Sequence, residues 1–401
     1  MNLALRDIRH HRGRFIQTCL GLGLLLGVVM SMGGIYRGLF TDATAVLRAT
    51  NAELWVVQQD TNGPFAATSR LPEEVKHRIR AVPGVAQASP LSFQNIQTEY
   101  NGKPFFRFFL VGHELDGLGG PPVIISGRPI QRSHYEMVAD KAMGIPLGGR
   151  IRLAGDEYTV VGLTEKMVSS AGDPVAYVTL ADAQKIQFKD DNNAIRNSRE
   201  RLGDQLDRLN FLAPAQQEQL TPWVAGLVGS TRIVNTVVAR LAPGADLGAV
   251  QERIRRWNHF RPLSVLDQEY ILTEGMIKKA KMQLGLFRAI LLVISGVIIS
   301  LIIYTMTLDK LRVIATLKLI GTRNRVIVGL ILQQSLLMGL IAYAVGFTLI
   351  GLTHDKFPRR VDLVAIDLQL LFVLVILICI AASLAGIRKA LRVEPAQALG
   401  G

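Results

Sequence analysis

The sequence of 401 residues contains two cysteines, Cys19 and Cys379, and both fall inside long apolar runs. Neither a disulfide framework nor a paired-cysteine metal site can be built from them. No GxxxxGKS/T loop occurs, so the chain does not itself cradle a nucleotide by the commonest route; Gly102-Lys103 lacks both the earlier glycine and the following hydroxyl residue. HELDG, starting at His113, opens like an HExxH zinc helix but has Gly117 where the second His must stand. Ser169, Ser170 and Asp173 form a polar turn with no His close in sequence. His10, His11, His134 and His259 read as solvated or interfacial side chains. Nothing assembles a nucleophile, a base and an oxyanion site. The sequence therefore predicts no catalytic, cofactor-binding or metal-binding residue in this chain.

Acidic charge is scarce, and the apolar runs carry none. Asp and Glu number 32 against 45 Lys and Arg, for a net charge of +13, while 49% of residues are hydrophobic. That mixture is typical of a membrane protein carrying a folded domain. Residues 15–36, 289–308, 326–353 and 368–387 are free of Asp, Glu, Lys, Arg and His. Each suffices for a crossing, which needs about 20 helical residues. The first is read as an uncleaved crossing rather than a secretory signal, because it is about twice a normal signal core and no A-x-A-like site follows.

Positive charge orients the spans. Segments 1–14, 309–325 and 388–401 carry nine of the thirteen net positive charges, whereas loop 354–367 balances Lys356, Arg359 and Arg360 against Asp355, Asp362 and Asp367. The positive-inside rule then predicts cytoplasmic termini, a cytoplasmic 309–325 segment and an external 37–288. Because the basic excess flanks apolar segments, anionic lipid and topology account for it, and nucleic acid is excluded as a partner.

The reading along the chain is a cytoplasmic basic segment (1–14), a first span (15–36) and a stalk helix (37–50) marked by Leu39, Ala43 and Val46. An external domain follows over 51–270. In it, AELWVVQQ, VAQASPLSF, FFRFFLVGHEL and TRIVNTVVARL read as strands, and LPEEVKHRIRAV and ADLGAVQERIRRW as helices. RIRLAGDEYTVVGL reads as a hairpin in a β-rich insert, and 189–219 as an exposed helical or mobile excursion. A second stalk helix (271–288) carries Ile277, Ala280, Leu284 and Phe287, with Lys278, Lys279 and Lys281 turned away. Spans at 289–308, 326–353 and 368–387, a short external loop at 354–367 and a cytoplasmic tail at 388–401 complete the layout. Gln333, Gln334 and Ser335 in the third span predict interhelix hydrogen bonds.

Between the second and third spans lies LRVIATLKLIGTRNRVI, with Arg312, Lys318, Arg323 and Arg325 and no acid. As a helix it places Val313, Leu317 and Ile320 on one side, with Ile314 nearby, and Leu311, Ala315 and Leu319 on the other. A helix apolar on two sides is covered on two sides, one by the membrane bundle and the other by a cytoplasmic protein or by the lipid surface. Gly321 suits the C-cap.

This stretch, with LILQQSLLMGL after it and the closing RKALRVEPAQAL, is similar to the coupling helix and C-terminal signature of MacB/FtsX-type (type VII) ABC transporter permeases. LALRDIRHHRGRF and the whole layout resemble that family as well, most closely the DevC-like subgroup without a fused ATPase. Where the family usually has Glu after the coupling Arg, this chain has Val313 after Arg312. The resemblance implies an α+β membrane protein of four transmembrane helices. Its large extracytoplasmic α/β domain would comprise porter-like halves (51–120 and 230–270) and a β-rich Sabre-like insert (121–229). It implies a bacterial inner-membrane, multi-pass permease contacting a separate ABC ATPase through Arg312, Ile314, Leu317, Lys318 and Gly321, with ATP and Mg in that partner and no cofactor here. Two copies would pair as a homodimer. The stalks would relay movement, by mechanotransmission, that drives export of a periplasmic or lipid-linked substrate through an adaptor and an outer-membrane channel. The alternatives are an FtsX-like regulator of an external cell-wall hydrolase, and lipoprotein or lipid extraction. A membrane sensor or enzyme lacks a catalytic domain and a site.

Overall fold

The computed structural model describes residues 12–187, 232–309, 311–357 and 359–391. The 189–219 excursion, all but the end of the basic segment 1–14, and the tail beyond Leu391 lie outside the described residues. In chain order the first elements are α1 (Arg12–Ala49), β1 (Leu54–Gln58), β2 (Leu71–Pro72), α2 (Val75–Arg80), β3 (Val85–Tyr100), β4 (Lys103–His113), β5 (Ser126–Gly127) and β6 (Glu136–Asp140). They are followed by β7 (Arg150–Leu153), β8 (Asp156–Thr164), β9 (Val175–Thr179), α3 (Leu180–Gln187), β10 (Ile233–Val234), β11 (Thr236–Leu241), α4 (Leu247–Arg255), β12 (Phe260–Ser264) and α5 (Val265–Leu272). The last are α6 (Lys278–Asp309), α7 (Leu311–Leu319), α8 (Asn324–Thr353) and α9 (Ala365–Leu391). Two units result, Thr41–Ile277 and the pair Met1–Phe40 with Lys278–Gly401.

In the helical unit, α1, α6, α8 and α9 are each long and apolar enough to cross a membrane. Leu22, Leu26, Ile299, Ile303, Met338 and Val375 are among the buried side chains at its centre. Glycine makes one crossing a close backbone approach: a Cβ on Gly346 would stand 2.8 Å from the Gly23 carbonyl oxygen and 2.9 Å from the Gly27 nitrogen. Small residues let backbones approach this closely in a bilayer, where packing rather than water exclusion joins helices. Within α8, the Ser335 hydroxyl donates to the Cys379 carbonyl at 2.8 Å and Gln334 reaches the Met306 sulfur at 3.5 Å, whereas Gln333 is exposed.

In the other unit, strands run in the order β12-β1-β11-β3-β4-β9-β6-β8-β5, with β7 on β8 and a separate β10-β2 pair. Pairing is antiparallel except for β4 with β9 and β6 with β8. Strand β1 shows the period of two: Leu54 and Val56 enter one apolar cluster, Trp55 and Val57 another. Such a strand is covered on both faces and reads as a continuous apolar run. The α5 start is fixed by a reciprocal cap, in which Ser264 Oγ accepts from the Asp267 amide at 3.0 Å and the Asp267 carboxylate accepts from the Ser264 amide at 2.8 Å.

Two expectations change. The insert boundary near residue 121 falls instead within β3. Residues up to Leu91 pair with β11 and those from Ser92 pair with β4, which in turn pairs with β9 of the insert. One long strand thus serves both halves, and β4 belongs with the insert. The second stalk is not a single α-helix from residue 271, because a π-helical turn over Thr273–Ile277 separates α5 from α6. Its stripe fades outward: Ile277 is buried, Ala280 and Leu284 are half-buried, and Phe287 is exposed. On α1, Leu39 is half-buried and Ala43 and Val46 are buried, Val46 packing in one cluster with Leu47 and Leu272.

Candidate functional site

Helix α7 starts two residues after α6 ends and closes on Gly321, whose φ of +89° is the left-handed conformation that ends a helix cheaply only at glycine. The Gly321 amide donates to the Lys318 carbonyl at 3.0 Å and the Ile320 amide to the Thr316 carbonyl at 3.1 Å. Arg323 is extended, and α8 begins at Asn324. A short helix is thereby held across the end of two long ones.

Burial separates its faces. Ile314 is 5% exposed and packs into the core of the helical unit, and Ala315 is fully buried. Val313 is 60% exposed and Ile320 77%, with Leu319 also exposed. Thr316, Gly321, Arg323 and Arg325 are exposed around them. The Lys318 ammonium donates to the carbonyl of Leu391, the last residue of α9, at 2.8 Å. What the surface offers is an apolar patch with a basic rim, attached to the bundle by Ile314, Ala315 and Lys318.

Of the five residues expected to touch a partner, Gly321 lies on the exposed side and Lys318 is half-buried against α9. Ile314 is corrected: it anchors α7 to the bundle, because its side chain points into that core, and Val313, Leu319 and Ile320 supply the exposed apolar surface instead. The side chains of Arg312 and Leu317 lie outside the described ones. A pattern apolar on both sides cannot say which side the bundle takes, and no periodicity signal distinguishes them.

A second feature escaped the sequence. Arg37 on α1 donates from Nε to Asp367 Oδ2 at 2.8 Å and from an Nη to Oδ1 at 3.2 Å, joining the first and last spans. Arg288 lies close to the Gly33 backbone at the same end.

In the sheet-bearing unit, Glu136 is 4% exposed and accepts from both guanidinium nitrogens of Arg128 and from the amides of Gln131 and Arg132. Chiefly through Arg128, its carboxyl is pulled down to about 2. His113 is buried, and desolvation holds its imidazole below the usual range. Ser169 Oγ accepts from the Ala171 and Asp173 amides at 3.3 and 3.2 Å, which makes this segment a turn. Among the described residues no group of three His, Cys, Asp or Glu side chains converges as metal ligands would.

Two family descriptions divide the chain: residues 15–257 match the MacB-like periplasmic core domain and residues 285–395, which include α7, match the FtsX-like permease C-terminal domain. The chain belongs to the MacB/FtsX-type ABC transporter permeases. An ABC transporter permease of Mycobacterium tuberculosis is 25% identical over 403 residues, spanning 99% of both chains. A putative hemin transport system permease protein of Staphylococcus haemolyticus, HrtB, is 20% identical over 409 residues, spanning all of this chain and 99% of the relative. The crystal structure of the periplasmic region of MacB from Actinobacillus actinomycetemcomitans aligns with 57% of this chain and 96% of its own length, at 11% identity and a TM-score of 0.34. The four apolar helices and the MacB-like core domain fit an inner-membrane protein.

Proposed function

We propose that this chain is the membrane-spanning subunit of an ABC transporter whose ATP-hydrolysing subunit is a separate protein seated on α7. The observation that carries this reading is the divided surface of α7, with Ile314 in the bundle core, Ala315 buried beside it, and Val313, Leu319 and Ile320 exposed. A helix anchored on one side and apolar on the other moves the bundle when a partner moves it. The exposed Arg323 and Arg325 match a partner groove with an acidic rim. ATP and Mg act in that partner, and this chain transports rather than catalyses.

In the same reading α7 and both termini are cytoplasmic, as the distribution of Arg and Lys favours. Two copies of the chain pair, each with one ATPase. Closure of the ATPases shifts α7, and the helices leading to the periplasmic domain relay the shift. Helix α1 supports such a relay, running unbroken from Arg12 to Ala49. The periplasmic domain then drives a periplasmic or lipid-linked substrate toward an adaptor and an outer-membrane channel. Differential binding of a few kcal/mol between two states is enough for such coupling.

The test is co-purification from the native membrane of ATPase activity with the wild-type chain and with a Leu319→Asp/Ile320→Asp variant. Loss of the ATPase from the variant, with the permease still folded and membrane-inserted, is the expected result. Undiminished ATPase binding and transport would make α7 a membrane-surface helix.

A further inference from the structure

Three of the apolar runs are bounded at one end by a charged residue, and the fold brings those three boundaries together. Arg37 directly follows run 15–36, Arg288 directly precedes run 289–308, and Asp367 directly precedes run 368–387. Arg37 is bonded to Asp367, and Asp367 and Arg288 line one recess with Gly33. The chain leaves the bundle at this end to form the MacB-like periplasmic core domain. Charge is costly inside the hydrocarbon and settles at its edge, so the three residues mark the depth of the lipid headgroups on the periplasmic side.

Positive charge is in excess there. Arg37 holds Asp367 through both carboxylate oxygens, and Arg288 acts on Asp367 only through its charge. The Asp362 carboxylate accepts from Arg360 at 2.8 Å. Among the described residues neither Arg288 nor Lys281 forms an ion pair. A long cationic side chain at a membrane edge ordinarily stretches away into water. Arg288 is instead half-buried with its guanidinium against the backbone of α1, where a Cβ on Gly33 would meet Nη1 at 3.4 Å and Cζ at 3.8 Å. Lys281 lies about two turns further out on the same face of α6. Its Nζ stands 5.6 Å from the centre of the Tyr36 ring on α1. Both cations are therefore turned to the seam between α1 and α6.

Depth and charge together select the occupant. The guanidinium fork matches a phosphate, the ammonium adds a second cation, and Tyr36 is a residue typical of the headgroup level. Below the seam, Leu24, Val28 and Met32 form the row on α1 that leads to Tyr36. Leu24 is 58% exposed and Val28 38%, while Met32 and Tyr36 are half-buried. A soluble anion would meet the cations and leave this apolar row uncovered. We propose that the α1–α6 seam holds the phosphate of an anionic glycerophospholipid of the periplasmic leaflet, with Arg288 and Lys281 as its ligands and one acyl chain along Val28 and Leu24. The bound lipid ties together the two helices that lead into the periplasmic domain. The inference stands apart from the α7 reading, since it concerns what the bundle holds at its other end.

The experiment uses the full chain, delipidated in maltoside micelles, with phosphatidylglycerol, phosphatidylcholine or glycerol phosphate added. Phosphatidylglycerol should raise the unfolding midpoint in a concentration-dependent way. Native mass spectrometry should find it, and not phosphatidylcholine, as the lipid most tightly retained. Arg288→Gln should weaken the response to phosphatidylglycerol about tenfold and Lys281→Gln about threefold. Arg150→Gln, which removes a cation from the sheet-bearing unit, should stay within about twofold. Glycerol phosphate, the headgroup without chains, should neither raise the midpoint nor displace the lipid. Should Arg288→Gln melt early without lipid, Lys281→Gln, at an exposed position, carries the comparison. An equal response to phosphatidylcholine would overturn the proposal, as would an undiminished response to phosphatidylglycerol in Lys281→Gln and Arg288→Gln. Glycerol phosphate acting as well as the lipid would make the seam a site for a soluble anion and overturn it too.

Discussion

Arg37 and Asp367 stand 330 residues apart in sequence and meet through two hydrogen bonds of 2.8 and 3.2 Å, fastening the first span to the fourth. Both side chains are partly exposed, so solvent screens the pair, yet its forked geometry places it above an ordinary surface pair. Arg37→Ala and Asp367→Ala should each destabilise the helical unit by roughly 0.5–1 kcal/mol. A double-mutant cycle on thermal unfolding in detergent measures the coupling. Additive single effects would show that the pair contributes nothing.

The two faces of α7 separate folding from coupling. Ile320→Asp should leave the unfolding midpoint unchanged and lower ATPase affinity at least about tenfold, as removal of an apolar anchor does at an interface. Ile314→Ala should do the reverse, lowering the midpoint through a packing loss of about 2 kcal/mol while keeping partner contacts. Binding to the immobilised ATPase, read beside thermal melts, distinguishes them.

Acid should weaken the periplasmic domain through Glu136. Its folded pKa of about 2 lies below the ordinary carboxylate value of 4.5, so the stabilisation is fully present above about 4.5 and is lost as pH falls through that value toward 2. The contribution at neutral pH is on the order of 2 kcal/mol. Glu136→Gln should lower the unfolding midpoint at pH 7, and the gap from wild type should narrow steadily on titration to pH 3. A constant gap would mean that packing, not charge, explains the loss.

Gly346 and Gly351 on α8 make a paired test of close approach. A Cβ at Gly346 meets backbone of α1 inside 3.0 Å, whereas nothing lies within 4 Å of one at Gly351. Gly346→Val should cost about 1–3 kcal/mol by overpacking, and Gly351→Ala should stabilise by up to about 1 kcal/mol through helix propensity. Equal melts for the two variants would remove the crossing from the account of stability.

The spans were legible because hydropathy is a one-dimensional signal and the hydrocarbon core sets its length. The β7–β8 hairpin was legible for a local reason too: Ala154 and Gly155, both at positive φ, form its turn. What escaped the sequence depends on which distant partner a residue meets. In the sequence Asp367 is one charge of a balanced loop, and only the fold sets Arg37 opposite it. Strand β3 looked like an ordinary strand of the first half, because nothing local marks Leu91 and Ser92 as the place where one neighbour is exchanged for another. On α7, apolar residues lie on both sides, and only the bundle's choice of Ile314 and Ala315 determines what is left outside.

The exchange on β3 also has a mechanical side. Its 16 residues run about 50 Å at about 3.3 Å per residue, and both halves of the sheet hang from it. Tilting the insert loads the β11 ladder in shear, along many hydrogen bonds at once, rather than peeling them one at a time. The periplasmic domain is therefore stiff to a pull along this strand and yields by twisting about it, so torsion, not stretch, is the soft mode through which its two halves can work.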